Sequence, residues 1–170
     1  MRILLTGHSG FVGGYIEDSL ARVSNFEVVG VSRHSGFCRC DLTKFDDVAC
    51  LFDKWSPDLI VHCAGELDVD ICQRDMIHAW RANLLSTKNI VVASQNAIPV
   101  VFMSSIAVYP DSPGFHEEAN VGPENFYGLL KLFSETLVLR NPKSLILRFV
   151  CFGNSAVQKR LSLTDYIKMK

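Results

Sequence analysis

Residues 1–14 read MRILLTGHSGFVGG. The first five, Met1 to Leu5, have the apolar run of a strand, and they pass through Thr6 straight into glycines at 7, 10 and 13. A glycine inside a regular element costs roughly 0.5–1 kcal/mol relative to alanine. Three within seven residues, where a strand gives way to a helical pattern, imply that missing side chains are needed there. A strand that ends in a glycine turn and starts a helix leaves backbone N–H groups unpaired at the positive end of the helix dipole. A phosphate can bind that backbone if no Cβ stands in its way. In this reading Gly7 makes the turn, Gly10 allows close approach, and Gly13 lets the helix pack on the strand. A plain strand–loop–helix junction is the alternative. The spacing is GxxGxxG, not the commoner GxGxxG.

Further along, apolar runs alternate with segments of helical length. RILLT, FEVVGVS, DLIVHCA, PVVFMSS and SLILRFV read as strands buried on both faces. Helical patterns cover 11–23, 43–55, 75–96 and 124–140. Thr43 stands as N-cap of the second, with Asp46 and Asp47 in its first turn. Such alternation predicts an α/β fold, a doubly wound parallel sheet with helices on both faces. Ligands of such sheets bind at the carboxyl ends of the strands, which is where the glycine loop lies. The segment 110–125, PDSPGFHEEANVGPEN, reads as a long polar loop of the kind that often carries function.

Composition narrows the function classes. The chain has 170 residues, 48% hydrophobic and 21% charged, so one globular domain is expected. A net charge of −1 makes no electrostatic case for nucleic acid or an acidic membrane surface. No apolar run has the length of a membrane span. The opening runs directly into the fold pattern, so no secretion leader is expected. Cys38, Cys40, Cys50, Cys63, Cys72 and Cys151 are then expected as reduced thiols of a cytoplasmic protein. Cys38 and Cys40 lack a second close pair, so no metal site is expected. Cys63 and Cys151 lie in apolar runs, as small core residues do.

The chemistry concentrates near FYGLLKLFSE, residues 126–135. Tyr127 and Lys131 are four apart and share a helix face. An ammonium beside a phenol favours the phenolate, which suits the tyrosine to proton exchange with a carbonyl or alcohol. Such a pair alone is commonplace. A third element strengthens it: FMSSIAVYP, residues 102–110, ends a predicted parallel strand. Ser104 and Ser105 thus reach the ligand edge, where a hydroxyl can bond a substrate oxygen as charge develops on it. The alternative is a strand-end serine that satisfies a turn, a description that suits Ser104 better than Ser105.

In this order, the glycine loop, the strand-end serine and the Tyr/Lys pair resemble the short-chain dehydrogenase/reductases. The likeness is to the extended subgroup, the NAD(P)-dependent epimerases, dehydratases and reductases of nucleotide sugars. TGHSGFVG at 6–13 resembles that subgroup's TGxxGxxG, which implies cofactor contacts from Gly7, Gly10, Phe11, Val12 and Gly13. Asp41-Leu42 resembles its adenine-contacting Asp-Leu, and HCAG at 62–65 its small-residue turn under the cofactor, with Ala64 and Gly65. Asn83 stands where the family has an Asn on the following helix. SSIAVYP resembles SSxxVYG and implies a catalytic hydroxyl at Ser105. YGLLK resembles YGxSK, with Leu130 in place of the usual Ser or Thr, and LRFVCFG at 147–153 resembles LRxxNVYG without its Asn. Within the subgroup, Val69-Asp70-Ile71-Cys72-Gln73 and the gap of 22 from Ser105 to Tyr127 resemble the dTDP-4-dehydrorhamnose reductase branch.

The resemblance implies a Rossmann-type dinucleotide-binding domain over 1–153. Residues 154–170 would be a remnant of the C-terminal substrate-binding region, because members of the family continue well beyond this length. With that lobe missing, the chain is expected to be a fragment, a truncated product or a cofactor half. It would pair as a homodimer or with a complementing C-terminal lobe. After VVGVS the chain carries Arg33, where an NAD-preferring site has an acidic residue for the ribose 2′-OH. An arginine can pair with a 2′-phosphate, so NADP(H) is favoured, with NAD(H) the other candidate and a solvated surface arginine the bland reading. The expected reaction is hydride transfer at a keto or hydroxyl carbon of a nucleotide-linked sugar. Ser105 would polarise the oxygen, Tyr127 would transfer the proton, and Lys131 would lower the tyrosine pKa and bind the nicotinamide ribose. The competing expectation is a non-catalytic, dinucleotide-binding regulatory or interaction subunit.

Overall fold

A computed structural model describes residues 1–34, 38–112 and 119–150. Among the described residues, six strands form one parallel sheet: β1 (Arg2–Thr6), β2 (Glu27–Ser32), β3 (Cys38–Arg39), β4 (Leu59–His62), β5 (Val100–Met103) and β6 (Leu145–Leu147). Their order is β3-β2-β1-β4-β5-β6. This is the Rossmann order, which reverses direction between β1 and β4 and opens a crevice at their carboxyl ends.

Alternation along β1 sends its side chains to two cores. Leu4 joins Val29, Val31, Ile60, Val100 and Phe102 beneath helices α2 (Phe45–Trp55), α5 (Ser86–Ala93) and α6 (Phe126–Val138). Ile3 and Leu5 turn to the opposite face with Val61 and Met103, against Val12, Ile16 and Leu20 of α1 (Phe11–Leu20). The expected helices on both faces are therefore present, and the central strands are buried on both sides.

Several local expectations are corrected. Lys44, not Thr43, is the N-cap of α2, because the Thr43 hydroxyl is turned to the Asp41 carboxylate at 2.7 Å. The helix expected over 75–96 starts earlier and is interrupted. It comprises α3 (Val69–Arg74), α4 (Met76–Ala79), a π-helical stretch (Trp80–Leu85) and then α5. Asp68 and Asp75 each cap a helix start with a carboxylate, which divides the segment at Asp75. β3 escapes sequence reading because two residues show no period. β6 is not buried on both faces: it lies at the sheet edge with Leu145 and Leu147 exposed. Cys63 packs partly buried against the α1-side core. Cys151 and the expected C-terminal remnant lie outside the described residues, as does the middle of the polar loop. No helix among the described residues is long and apolar enough to cross a membrane.

Candidate functional site

β1 ends at Thr6, and Gly7 turns the chain with φ +70. That left-handed conformation favours glycine, and a Cβ here would stand 2.8 Å from the Ala64 amide nitrogen. Gly13 is equally forced, since its Cβ would collide with the Gly7 carbonyl. Gly10 is different. It is the exposed N-cap of α1 in ordinary extended conformation, and its Cβ would meet only the Gly7 oxygen, at 3.1 Å. The fold could accommodate a side chain there, so its absence keeps open the space before the helix. Phe11, Val12 and Gly13 begin α1, and helix geometry gives their N–H groups no carbonyl one turn back. No acidic residue sits in that first turn to compete with an anion.

Across the crevice, β4 ends at His62, which is wholly buried. Its Nδ1 lies 2.6 Å from Thr6 Oγ1 and its Nε2 lies 3.0 Å from Thr87 Oγ1. Thr87 donates to the Asn83 carbonyl at 2.6 Å, so it accepts from Nε2–H, and Nδ1 accepts from Thr6. Thr6 in turn accepts from the Ala64 amide at 3.3 Å. Burial, with the charge of Lys131, pushes the imidazole down to about 3, so it is neutral at physiological pH. This one-way chain of bonds ties the turn at Ala64 to the π-helical stretch at Asn83.

π-helical insertions frequently mark functional sites. Here the stretch carries Asn83, 2% exposed, whose Nδ2 donates to the Ala79 carbonyl at 3.2 Å. Its Oδ1 is buried without a hydrogen-bond partner among the described residues. A Cβ on Gly65 would lie 2.5 Å from that oxygen and 3.9 Å from Lys131 Nζ. Gly65, Asn83 and Lys131 therefore converge on one spot.

Lys131 comes from α6 and is 3% exposed. Its Nζ donates to the Met103 carbonyl at 2.9 Å and stands 5.8 Å from the ring centroid of Tyr127. Burial pulls its pKa down to about 8, and the thiols of Cys63 and Cys72 and the carboxylate of Glu135 limit the fall. Gly128 lets the first turn of α6 close on the 3₁₀ turn Ile106–Val108, where a Cβ would strike the Ala107 carbonyl. Ser105 caps that turn, its Oγ accepting from the Ala107 amide at 3.1 Å. Ser105, and not Ser104, is thus the serine that satisfies the turn. Its O–H has no acceptor among the described residues, and a substrate oxygen can still take it. Ser104 donates instead to Glu135 at 2.5 Å.

At the other end of the crevice Arg33 is exposed after β2. Asp41 lies near enough to feel its charge. Burial works against ionisation of Asp41, but the hydroxyl and amide of Thr43, with Lys44 and Arg33, hold its carboxyl below the usual range. Asn89 of α5 donates to the Leu42 carbonyl at 2.9 Å and fixes that loop. Among the described residues no cluster of His, Cys, Asp and Glu could hold a metal. Sequence reasoning placed Gly7, Gly10, Gly13, Ala64, Gly65, Asn83, Ser105, Tyr127 and Lys131 on this edge. It missed His62, Thr6 and Thr87, whose one visible signal was a polar histidine inside the apolar run LIVHCA.

Residues 3–155 match the model of the "NAD dependent epimerase/dehydratase family". A dTDP-4-dehydrorhamnose reductase of Salmonella typhimurium is 35% identical over 154 residues, covering 87% of this chain and 50% of its own length. The methionine adenosyltransferase 2 subunit beta of Xenopus laevis is 30% identical over 146 residues, 82% of this chain and 43% of that protein. Among solved structures, a dTDP-4-dehydrorhamnose reductase of Bacillus anthracis in complex with NADP superposes with a TM-score of 0.81 at 26% identity. It covers 91% of this chain and 55% of that one. The chain spans about half the length of the curated relatives it matches.

Proposed function

This chain belongs to the NAD dependent epimerase/dehydratase family, and on that premise we propose that it binds NAD(P)(H) along the glycine-loop edge. There it transfers hydride at a keto or hydroxyl carbon of a nucleotide-linked sugar. Two features of the fold fit such a cofactor. The space before α1 is kept clear by a glycine that the backbone does not itself require, Gly10. The buried Asn83 Oδ1 faces Gly65 with no donor among the described residues. Gly7, Gly10, Phe11, Val12 and Gly13 would hold the pyrophosphate, Arg33, Asp41 and Leu42 the adenosine end, and Ala64, Gly65, Asn83, Tyr127 and Lys131 the nicotinamide half. Exposed Arg33 supports NADP(H) over NAD(H). The bound nicotinamide would supply or accept the hydride.

The observation that carries the catalytic reading is Lys131. A buried ammonium, anchored on the end of β5 and 5.8 Å from the Tyr127 ring centroid, favours the phenolate. In the reducing direction Tyr127 donates its proton to the substrate oxygen and Ser105 O–H bonds the same oxygen. Lys131 stabilises the phenolate that remains until water returns a proton. A pKa of about 8 leaves Lys131 mostly cationic at pH 7. No disulfide joins Cys38, Cys40, Cys50, Cys63 and Cys72 among the described residues, which fits a reducing cytoplasm.

A second reading, a non-catalytic dinucleotide-binding subunit, has one specific support: a relative named as the beta subunit of methionine adenosyltransferase 2. Tyr127→Phe separates the two. Under the catalytic reading turnover of a keto-sugar nucleotide falls by about 10²–10⁴-fold while cofactor affinity holds. If the wild-type protein, alone or joined to a family-type C-terminal lobe, binds cofactor but turns over no sugar nucleotide, the subunit reading replaces it.

A further inference from the structure

α6 presents Tyr127, Lys131 and Glu135 at intervals of four, on one face. The chemistry proposed above uses the first two. Glu135 is 1% exposed, and its carboxylate gathers donors from two strand ends. Ser104 Oγ, just beyond β5, donates to Oε1 at 2.5 Å. Arg148, just beyond β6, donates Nε to Oε1 at 2.9 Å and Nη2 to Oε2 at 2.6 Å. The same guanidinium donates from Nη1 to Tyr109 Oη at 3.0 Å, behind the 3₁₀ turn that Ser105 caps. Meanwhile Lys131 reaches the Met103 carbonyl. Two successive residues at the end of β5 are thereby addressed, Met103 by Lys131 and Ser104 by Glu135, while Ser105 is left at the open edge.

We propose that Glu135 is the positioning residue of this site: it clamps α6 to the ends of β5 and β6 and supplies the carboxylate charge facing Lys131. Its link to catalysis rests on the functional reading above, while the clamp stands on those hydrogen bonds and the charge on the four-residue spacing along α6. An unpaired ammonium at the depth of Lys131 would tend to shed its proton. The groups around it are Cys63 and neutral His62 from the end of β4, Cys72 from α3, the Phe102 ring from β5, and Tyr127 and Glu135 from its own helix. Among these Glu135 is the carboxylate. Arg148 shares that carboxylate, is held above its ordinary pKa chiefly by the bond to Glu135, and fixes the carboxylate's orientation.

The test reads Lys131 directly, in lysine-labelled protein without cofactor, by following its Cε and Nζ resonances against pH. The wild-type midpoint is expected near 8. Glu135→Gln should lower it, as loss of an opposite charge one helical turn away implies. Ser104→Ala keeps the charge and removes only a clamp bond. It should leave the midpoint in place and speed amide exchange at Ser104 and Ala107. Should Glu135→Gln fail to fold, Arg148→Met keeps the carboxylate and removes the cation that shares it, and should raise the Lys131 midpoint. An unmoved Lys131 midpoint in the folded variant overturns the charge role, and unchanged exchange in Ser104→Ala overturns the clamp. A wild-type protein that bound no dinucleotide would sink the functional reading instead, and leave the Lys131 titration to decide the role of Glu135.

Discussion

Acidification will charge His62 in the unfolded chain long before it does so in the folded one. The ring is wholly buried between Thr6 and Thr87, and its pKa falls from 6.5 to about 3, through burial first and the Lys131 charge second. The sign follows from proton counting. Between pH 6.5 and 3 the unfolded state holds the extra proton, so the stability this histidine contributes is present above pH 6.5 and drains away as pH falls. Each pH unit in that window is worth about 1.4 kcal/mol, so the descent from pH 6.5 to 5 removes about 2 kcal/mol. That is a large share of a typical folding free energy of roughly 5–15 kcal/mol. The assay is urea unfolding at pH 7, 6 and 5 for the wild type and His62→Asn, which cannot titrate. Carboxylates act equally in both, so the difference isolates His62. With a urea slope of about 2 kcal/mol per molar, the wild-type midpoint should fall about 1 M further than the variant's by pH 5. Parallel acid losses would refute the buried neutral tautomer and the bond chain that leads from it to Asn83.

Three further outcomes are expected. Gly65→Ala places a Cβ 2.5 Å from Asn83 Oδ1 and must displace that side chain, so calorimetry should find dinucleotide affinity lowered by about 3–10-fold, the worth of one neutral hydrogen bond. Arg33→Ala should weaken NADPH and leave NADH nearly untouched; equal losses, or none, would remove the guanidinium from the 2′-phosphate. Because Lys131 titrates near 8, its cation is lost as pH rises through that value, and turnover should decline above about pH 8, as a pH–rate profile of sugar-nucleotide reduction would record.

The fold was legible wherever apolar runs were long. RILLT, DLIVHCA and PVVFMSS announce buried parallel strands because both their faces must be covered, and the glycine loop announces the crevice because Gly7 alone tolerates φ +70 there. The edges were less legible. β3 is too short to carry a period, and β6 has a core-type sequence at an exposed edge, because composition does not report which strand lies outermost. The site divided in the same way. Candidate residues marked by backbone shape or simple spacing, such as Gly10 or the Tyr127/Lys131 pair, showed in the linear order. Those that act through distant partners did not. His62 finds Thr6 and Thr87 at separations of 56 and 25 residues, and Glu135 finds Ser104 across 31, distances at which no local pattern forms. The π-helical winding at Asn83 was equally silent, since WRANLL reads as ordinary helix.

The central claim is that the open N-terminus of α1 is a dinucleotide site, and calorimetric titration of NADPH and NADH into the wild type and Gly10→Val tests it most directly. Gly10 has ordinary φ and ψ, and a Cβ there meets only the Gly7 oxygen at 3.1 Å, so the variant should stay folded with a melting temperature close to wild type. The account predicts saturable binding to the wild type, tighter for NADPH, and none to the folded variant. Equal affinity in both, or a wild type that binds neither cofactor, would contradict it.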